Sequence, residues 1–312
     1  MTTAQNTPGV FGTLGVAMIT PFTEDLTEVD HSALASVTQH LLETGHDMLV
    51  VNGTTGESPT TSDSEKLAIL QTVRKAAGPD VTIVMGVGSN STRHTVDLAR
   101  ATAATGMADG LLVVTPYYNK PTQEGVRAHV AAVAAATSLP IMLYDIPGRA
   151  GIPLTWETSR ELARIPTVKA IKEAKGDIHG GSDIMRITDL EIYSGEDALN
   201  LPWMAVGASG IVSVVSHVTG ALDRIQLDAA LRGDLITAQR IHHARIPYID
   251  AIMNQVPGAV AVKHALHHLG VIPHPGVRLP LTPADESQVA RINASTDALP
   301  GILAPFQKAG AS

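Results

Sequence analysis

The chain has 312 residues, 44% of them apolar and 17% charged, which suits one large soluble α/β domain and excludes both three ordinary domains and a disordered chain. Its 22 Lys and Arg against 30 Asp and Glu give a net charge of -8 with no long run of either sign, which argues against a nucleic-acid or anionic-membrane surface. With no cysteine at all, a disulfide framework, a thiolate zinc site and a cysteine nucleophile are excluded.

Residues 1–8 lack a basic region followed by an apolar core, so no signal peptide is expected. No apolar stretch reaches membrane-spanning length, and the cytoplasm is the expected compartment. Apolar runs bounded by turn residues then recur at 15–21, 47–53, 82–88, 110–116, 141–147, 168–174, 191–197 and 210–216, giving eight predicted strands. Amphipathic stretches at 31–44, 64–77, 92–105 and 124–137 predict helices between them, stopped by Gly45, Gly78, Gly106 and Pro140. Ser62 followed by Glu65 has the spacing of a capping box at the start of the second helix.

Strands apolar on both faces and alternating with helices imply a parallel sheet covered on both sides. Eight such units imply closure, so the predicted fold is α/β, a (β/α)8 TIM barrel. The open doubly wound alternative needs fewer strands and usually has a Gly-rich phosphate loop after its first strand, where this chain has Pro21-Phe22-Thr23-Glu24-Asp25. Beyond residue 216 the pattern is all-helical, with helices at 219–231, 235–254, 258–269 and 283–296. The first completes the barrel, so residues 1–232 are assigned to the barrel and 233–312 to a small C-terminal helical region.

Active sites of such barrels lie at the C-terminal ends of the strands. At the sixth, alternation puts Val168, Ala170, Lys172 and Ala174 on one face, so Lys172 shares a buried-looking face with small residues. Burial disfavours the ammonium form and yields a free amine able to attack a ketone or aldehyde. Read alone, Lys172 fits a structural or snorkelling lysine better than a nucleophile. Its company is unusual. The second strand runs into Gly53-Thr54-Thr55-Gly56-Glu57-Ser58, with hydroxyls and backbone amides suited to a carboxylate. The fourth leads to Thr115-Pro116-Tyr117-Tyr118, the fifth carries Tyr144 and runs into Pro147-Gly148-Arg149, and the seventh ends in Ser194-Gly195-Glu196-Asp197. Of only five tyrosines in the chain, three fall at this end.

These motifs, in this order, resemble the dihydrodipicolinate synthase and N-acetylneuraminate lyase family of pyruvate-dependent class I aldolases. The resemblance spans roughly residues 12–283. It is carried by Gly53-Thr54-Thr55-Gly56-Glu57, Val114-Thr115-Pro116-Tyr117-Tyr118, Leu143-Tyr144-Asp145-Ile146-Pro147-Gly148-Arg149 and Ile171-Lys172-Glu173-Ala174. It implies that Lys172 forms a Schiff base with pyruvate, that Tyr144 moves protons beside it, and that Thr54 and Tyr118 complete the relay. It also implies that Tyr118 reaches in from a neighbouring subunit of a homotetramer built from dimers. Thr55 and the backbone at Val212 match positions that hold the pyruvate carboxylate, and Gly195 lines the pocket. The covalent imine on Lys172 then serves as the electron sink, so no cofactor or metal is expected. Arg149 matches the arginine that binds the carboxylate of aspartate semialdehyde, a two-pronged grip that no neutral residue reproduces. The resemblance therefore points to condensation of pyruvate with that aldehyde, on the way to diaminopimelate and lysine.

Two other readings compete. A sugar-acid aldolase or dehydratase would keep the enamine chemistry on a 2-keto-3-deoxy acid, but has no use for Arg149. A non-catalytic pyruvate-binding regulator has no use for the relay of Thr54, Tyr144 and Tyr118. Among the thirteen histidines, His264 and His268 share a helix face but lie outside the strand ends, and no metal site is assigned to them. Two departures from the family pattern stand out. Asp145 occupies a place where many members have asparagine, with no consequence legible in the sequence. Asp63, Lys66 and His94 occupy the places that in lysine-inhibited members carry two histidines and an acid. A cation there replaces an acceptor, so feedback by lysine is expected to be weak or absent; sub-millimolar inhibition by lysine in a steady-state assay would contradict this.

Overall fold

A computed structural model describes residues 9–309; the N-terminal segment at 1–8 lies outside the described residues. Eight parallel strands close in sequence order into a barrel: β1 (Leu14–Ala17), β2 (Met48–Val51), β3 (Thr82–Gly86), β4 (Gly110–Val114), β5 (Ile141–Asp145), β6 (Val168–Glu173), β7 (Glu191–Ser194) and β8 (Gly210–Ser213). The predicted TIM barrel is thus observed. Each strand stops before the end of its apolar run. The remaining residues, Thr115-Pro116 or Glu196-Asp197 for example, peel away from the ladder to build the mouth.

Helix boundaries follow local chemistry. Asp30, Ser62, Ser91 and Thr122 each accept a backbone N–H at a helix start, and Ser62 with Glu65 forms the full capping box. The last helix departs from expectation: it runs Glu286–Ala309, straight through Pro300 and Pro305. Both prolines are exposed, so their rings meet no packed neighbour on that side.

Inside the barrel, Ala17, Met48, Val50, Val84, Leu112, Met142, Tyr144, Ala170, Tyr193 and Val212 form a core distinct from the one under the helices. Phe11 plugs the N-terminal mouth edge-on to Tyr193, with ring centroids 6.2 Å apart. Gly110 makes room for it, since a Cβ there would sit 2.4 Å from the Phe11 ring. The bottom of the barrel is therefore sealed, and access is from the C-terminal end.

One expectation about β6 is corrected. Ala170 and Ala174 do lie with the inner core beside Lys172, but Val168 packs with the outer one. The cause is a register shift against β5, where Ile141 pairs with Val168 but Met142 already pairs with Ala170.

The helices Leu235–Met253, Gly258–His268 and Glu286–Ala309 pack on one another and on Ser216–Leu231, which closes the barrel. They also reach the mouth. Lys263, fully buried on the second of them, pairs with Glu57 in the loop after β2 and donates to the Gly276 carbonyl at 2.8 Å. Arg278 donates its backbone N–H to the same carboxylate at 2.9 Å. Its guanidinium reaches the carbonyls of Leu26 and Thr60 and the carboxylate of Glu65. The Phe22 ring lies 4.2 Å from Lys263 Nζ and 4.1 Å from the Arg278 guanidinium carbon. No helix among the described residues is long and apolar enough to cross a membrane.

Candidate active site

Lys172 is the fifth residue of β6 and is only 3% exposed. Strand pairing places it between Tyr144 on β5 and Tyr193 on β7. Its Nζ sits 4.4 Å from the centre of the Tyr144 ring and makes no ion pair among the described residues. Loss of hydration pulls its pKa down to about 8, against an upward pull from Asp197. Gly195 is the condition for this placement. A Cβ there would lie 2.9 Å from Lys172 Cγ and 3.0 Å from Cε, so a larger residue would push the amine out of position.

Burial pushes the Tyr144 phenol up to about 12, while the Arg149 guanidinium and a hydrogen bond with Thr54 act the other way. The phenol therefore stays protonated through the neutral range, with a hydroxyl partner beside it. Thr54, Tyr144 and Arg149 line a cavity of about 370 Å³ with Tyr117, Leu112 and Val114. Gly86 and Gly88 keep it open, because a Cβ on either would meet backbone at about 2.5 Å or less. Thr54 and Arg149 also border an adjoining cavity of about 220 Å³, with Thr55, Met253, Pro257 and Leu281 on its walls. The C-terminal helical region thus supplies one side of the mouth. The Arg149 guanidinium makes no hydrogen bond or ion pair among the described residues, which leaves its donors for a ligand.

Of the eight residues singled out from the sequence, Lys172, Tyr144, Thr54, Thr55, Arg149 and Gly195 converge on the C-terminal mouth. Val212 is buried within β8, one register step from the Ser213 side chain. Lys172 lies beneath the Tyr144 ring and is on the walls of neither cavity. Tyr118 is not brought in. It is 88% exposed, and its backbone is left-handed, with φ 73°. A bulky residue held there costs about 1–3 kcal/mol and persists only when something else requires it.

Sequence reasoning missed Asp197. This buried acid accepts from the Ser213 hydroxyl, from the Val214 and Val215 N–H groups at 2.9 and 3.1 Å, and from Arg245 at 3.1 Å. Arg245 is itself fully buried and also pairs with Asp223 at 2.7 Å. Asp197 therefore fixes the turn after Val212 while opposing the deprotonation of Lys172. Its place in the acidic pair Glu196-Asp197 at a strand end was the available clue. Glu196, beside it, has its carboxyl pushed up by burial and by the neighbouring Asp197 charge.

On the rim, Asp63 pairs with His94 at 2.8 Å and with the buried Lys66 at 3.4 Å, beside a further cavity of about 240 Å³ that shares Gly86, Gly88 and Tyr117 with the first. His268 bonds Asp297 at 2.7 Å, and no cluster of three or more potential metal ligands occurs among the described residues.

The lowered pKa has a direct consequence. At pH 7 a lysine of pKa about 8 carries roughly 300-fold more free amine than one at the ordinary 10.5. Competitive labelling of Lys172 with an amine-selective reagent is expected to rise through an inflection near pH 8. An inflection at pH 10 or above would show that the amine is not desolvated.

A profile of the Dihydrodipicolinate synthetase family matches residues 10–299. The chain is 51% identical to the 4-hydroxy-tetrahydrodipicolinate synthase of Kineococcus radiotolerans over 95% of its length and 94% of that protein. Among solved structures it is similar to the chloride-inhibited dihydrodipicolinate synthase of Acinetobacter baumannii complexed with pyruvate. That match has 34% identity and a TM-score of 0.88, covering 94% of this chain and 99% of the other. It is also similar to the lysine-bound enzyme of Cyanidioschyzon merolae, with 38% identity and a TM-score of 0.88 over 94% of this chain and 99% of the other. With near-complete coverage in sequence and in fold, the chain belongs to the dihydrodipicolinate synthetase family.

Proposed function

We propose that this chain works in the cytoplasm as a 4-hydroxy-tetrahydrodipicolinate synthase, joining pyruvate to L-aspartate 4-semialdehyde on the route to diaminopimelate and lysine. The observation that carries the reading is the desolvated amine of Lys172, packed under Tyr144 by the absence of a side chain at Gly195. The free amine attacks the pyruvate ketone carbon. The carbinolamine so formed loses water to give an iminium, and loss of a methyl proton turns this into an enamine whose carbon adds to the aldehyde. Tyr144 and Thr54 are placed to move the protons these steps exchange. Thr55 and the Val212 backbone hold the pyruvate carboxylate. Arg149 holds the carboxylate of the second substrate, which disfavours a sugar acid lacking a matching group. The covalent imine is the electron sink, and the chemistry calls for no cofactor.

The exposed, left-handed Tyr118 supports an oligomer. Its hydroxyl serves the relay of a neighbouring subunit, in a homotetramer built from dimers. Lys66 beside Asp63 and His94 supports weak or absent feedback by lysine, since a buried cation lines the cavity at these positions.

Borohydride reduction in the presence of pyruvate, followed by mass spectrometry, is expected to place a reduced adduct on the peptide containing Lys172. An unmodified Lys172 would end the imine reading. Arg149→Ala is expected to leave this trapping intact and to weaken use of aspartate semialdehyde by roughly 30-fold in kcat/KM, the equivalent of about 2 kcal/mol.

Subunit mixing tests the oligomer. Tyr118→Phe and Lys172→Ala are each expected to be nearly inactive alone and to regain activity when unfolded and refolded together. No recovery from mixed subunits that do co-assemble would place Tyr118 outside its neighbour's site.

A further inference from the structure

Asp145 closes a small ring at the base of the arginine loop. It is the last residue of β5, follows Tyr144 and is 1% exposed. Its carboxylate accepts the Leu154 N–H at 2.9 Å and pairs with Lys175 Nζ at 3.0 Å. Lys175 in turn donates to the Leu154 carbonyl at 2.9 Å. Both polar groups of one residue, Leu154, are thereby held by an acid from the end of β5 and a base that follows β6. Lys175 is itself fixed, since its ammonium lies 3.6 Å from the centre of the Trp156 ring, and Trp156 bonds Asp177.

The segment 146–153 leaves the barrel at Asp145 and returns to the same carboxylate. It carries the four-residue helix Pro147–Ala150, and with it Arg149. The hydrogen bonds of that helix run within the segment, from the N–H groups of Arg149, Ala150 and Gly151 back to Ile146 and Pro147. A second tie comes from Gln123, which donates to the Pro153 carbonyl at 2.9 Å and accepts the Thr155 N–H at 3.2 Å. It acts on the outer limb of the loop. The ring of Asp145, Lys175 and Leu154 is the part that connects the loop to β5 and β6, and so to Tyr144 and Lys172.

We propose that the Asp145–Lys175 pair is a positioning and specificity device. It fixes the span of the 146–153 loop, and so the distance between Arg149 and the amine of Lys172, which sets the fit for a second substrate carrying both an aldehyde and a carboxylate. The inference rests on the imine reading above. The acid at 145 acts through its neighbours and touches no substrate. Exchange of its charge for an amide leaves an acceptor for Leu154 but removes the attraction that holds Lys175, so the ring opens on one side. Reaction of Lys172 with pyruvate alone needs no contact from Arg149 and does not depend on this span.

The test uses the full chain with Asp145→Asn, Lys175→Met and the double variant. Lys175→Met keeps the apolar stem over Trp156 and leaves the Asp145 bond to Leu154, so it serves if Asp145→Asn fails to fold. Each single variant is expected to raise the KM for aspartate semialdehyde about tenfold, with the KM for pyruvate and the rate of borohydride trapping on Lys172 within about twofold of the parent. The double variant is expected to match the singles and not to multiply them, and hydrogen exchange over 146–154 is expected to quicken in all three. An unchanged KM for the semialdehyde, or equal changes in both KM values, would overturn the positioning role. Failure of the parent protein to trap pyruvate would instead overturn the imine reading, and this inference with it.

Discussion

Withholding water from one ammonium group is the constraint around which the mouth of this barrel is built. Lys172 gives up hydration worth several kcal/mol in its charged form, and none of the described residues forms an ion pair with it. The surrounding parts make that state tolerable. Tyr144 presents a ring face, Gly195 leaves space for the stem, and Asp197 supplies an opposing charge at a distance. A closer acid would favour the ammonium form over the free amine. Placing the acid on the far side of the turn after β8 keeps its pull moderate, because its oxygens are already occupied by Ser213, two backbone N–H groups and Arg245.

The barrel itself was legible because its strands are apolar on both faces and regularly spaced, which only a covered parallel sheet explains. The same property hid the strand ends. Residues such as Thr115 and Pro116 continue an apolar run yet belong to the loops, and no local feature marks where the ladder lets go. Val168 was put on the wrong face because a register shift is a relation between two strands and leaves no trace in one. The final helix was expected to end at 296, yet it runs on to Ala309 with Pro300 and Pro305 at exposed positions.

The site divided along similar lines. Lys172, Tyr144, Thr54 and Arg149 sit in compact motifs at strand ends, the face where barrels of this kind carry their active sites. Asp197 draws its meaning from Ser213 and Arg245, which are 16 and 48 positions away, and Glu57 from Lys263, 206 positions away. Such long-range polar pairs are invisible to any short pattern. The lone lysine in Gly258–His268, set among alanines and valines, was nevertheless a sign that something acidic must come to meet it.

The contact between Glu57 and Lys263 also bears on how this protein divides. By topology the barrel is complete with the helix Ser216–Leu231, and the later helices look like an addition. Electrostatically the two are one body. Removing the later helices would strand a buried carboxylate just after the Gly-Thr-Thr-Gly loop, and an unpaired buried charge there draws the loop toward water. That response moves Thr54 and Thr55. A graft of this barrel onto another scaffold would therefore have to carry its own counter-charge for Glu57, and a shuffled chain that exchanged the C-terminal region would inherit a new loop shape without a single change in the loop's sequence.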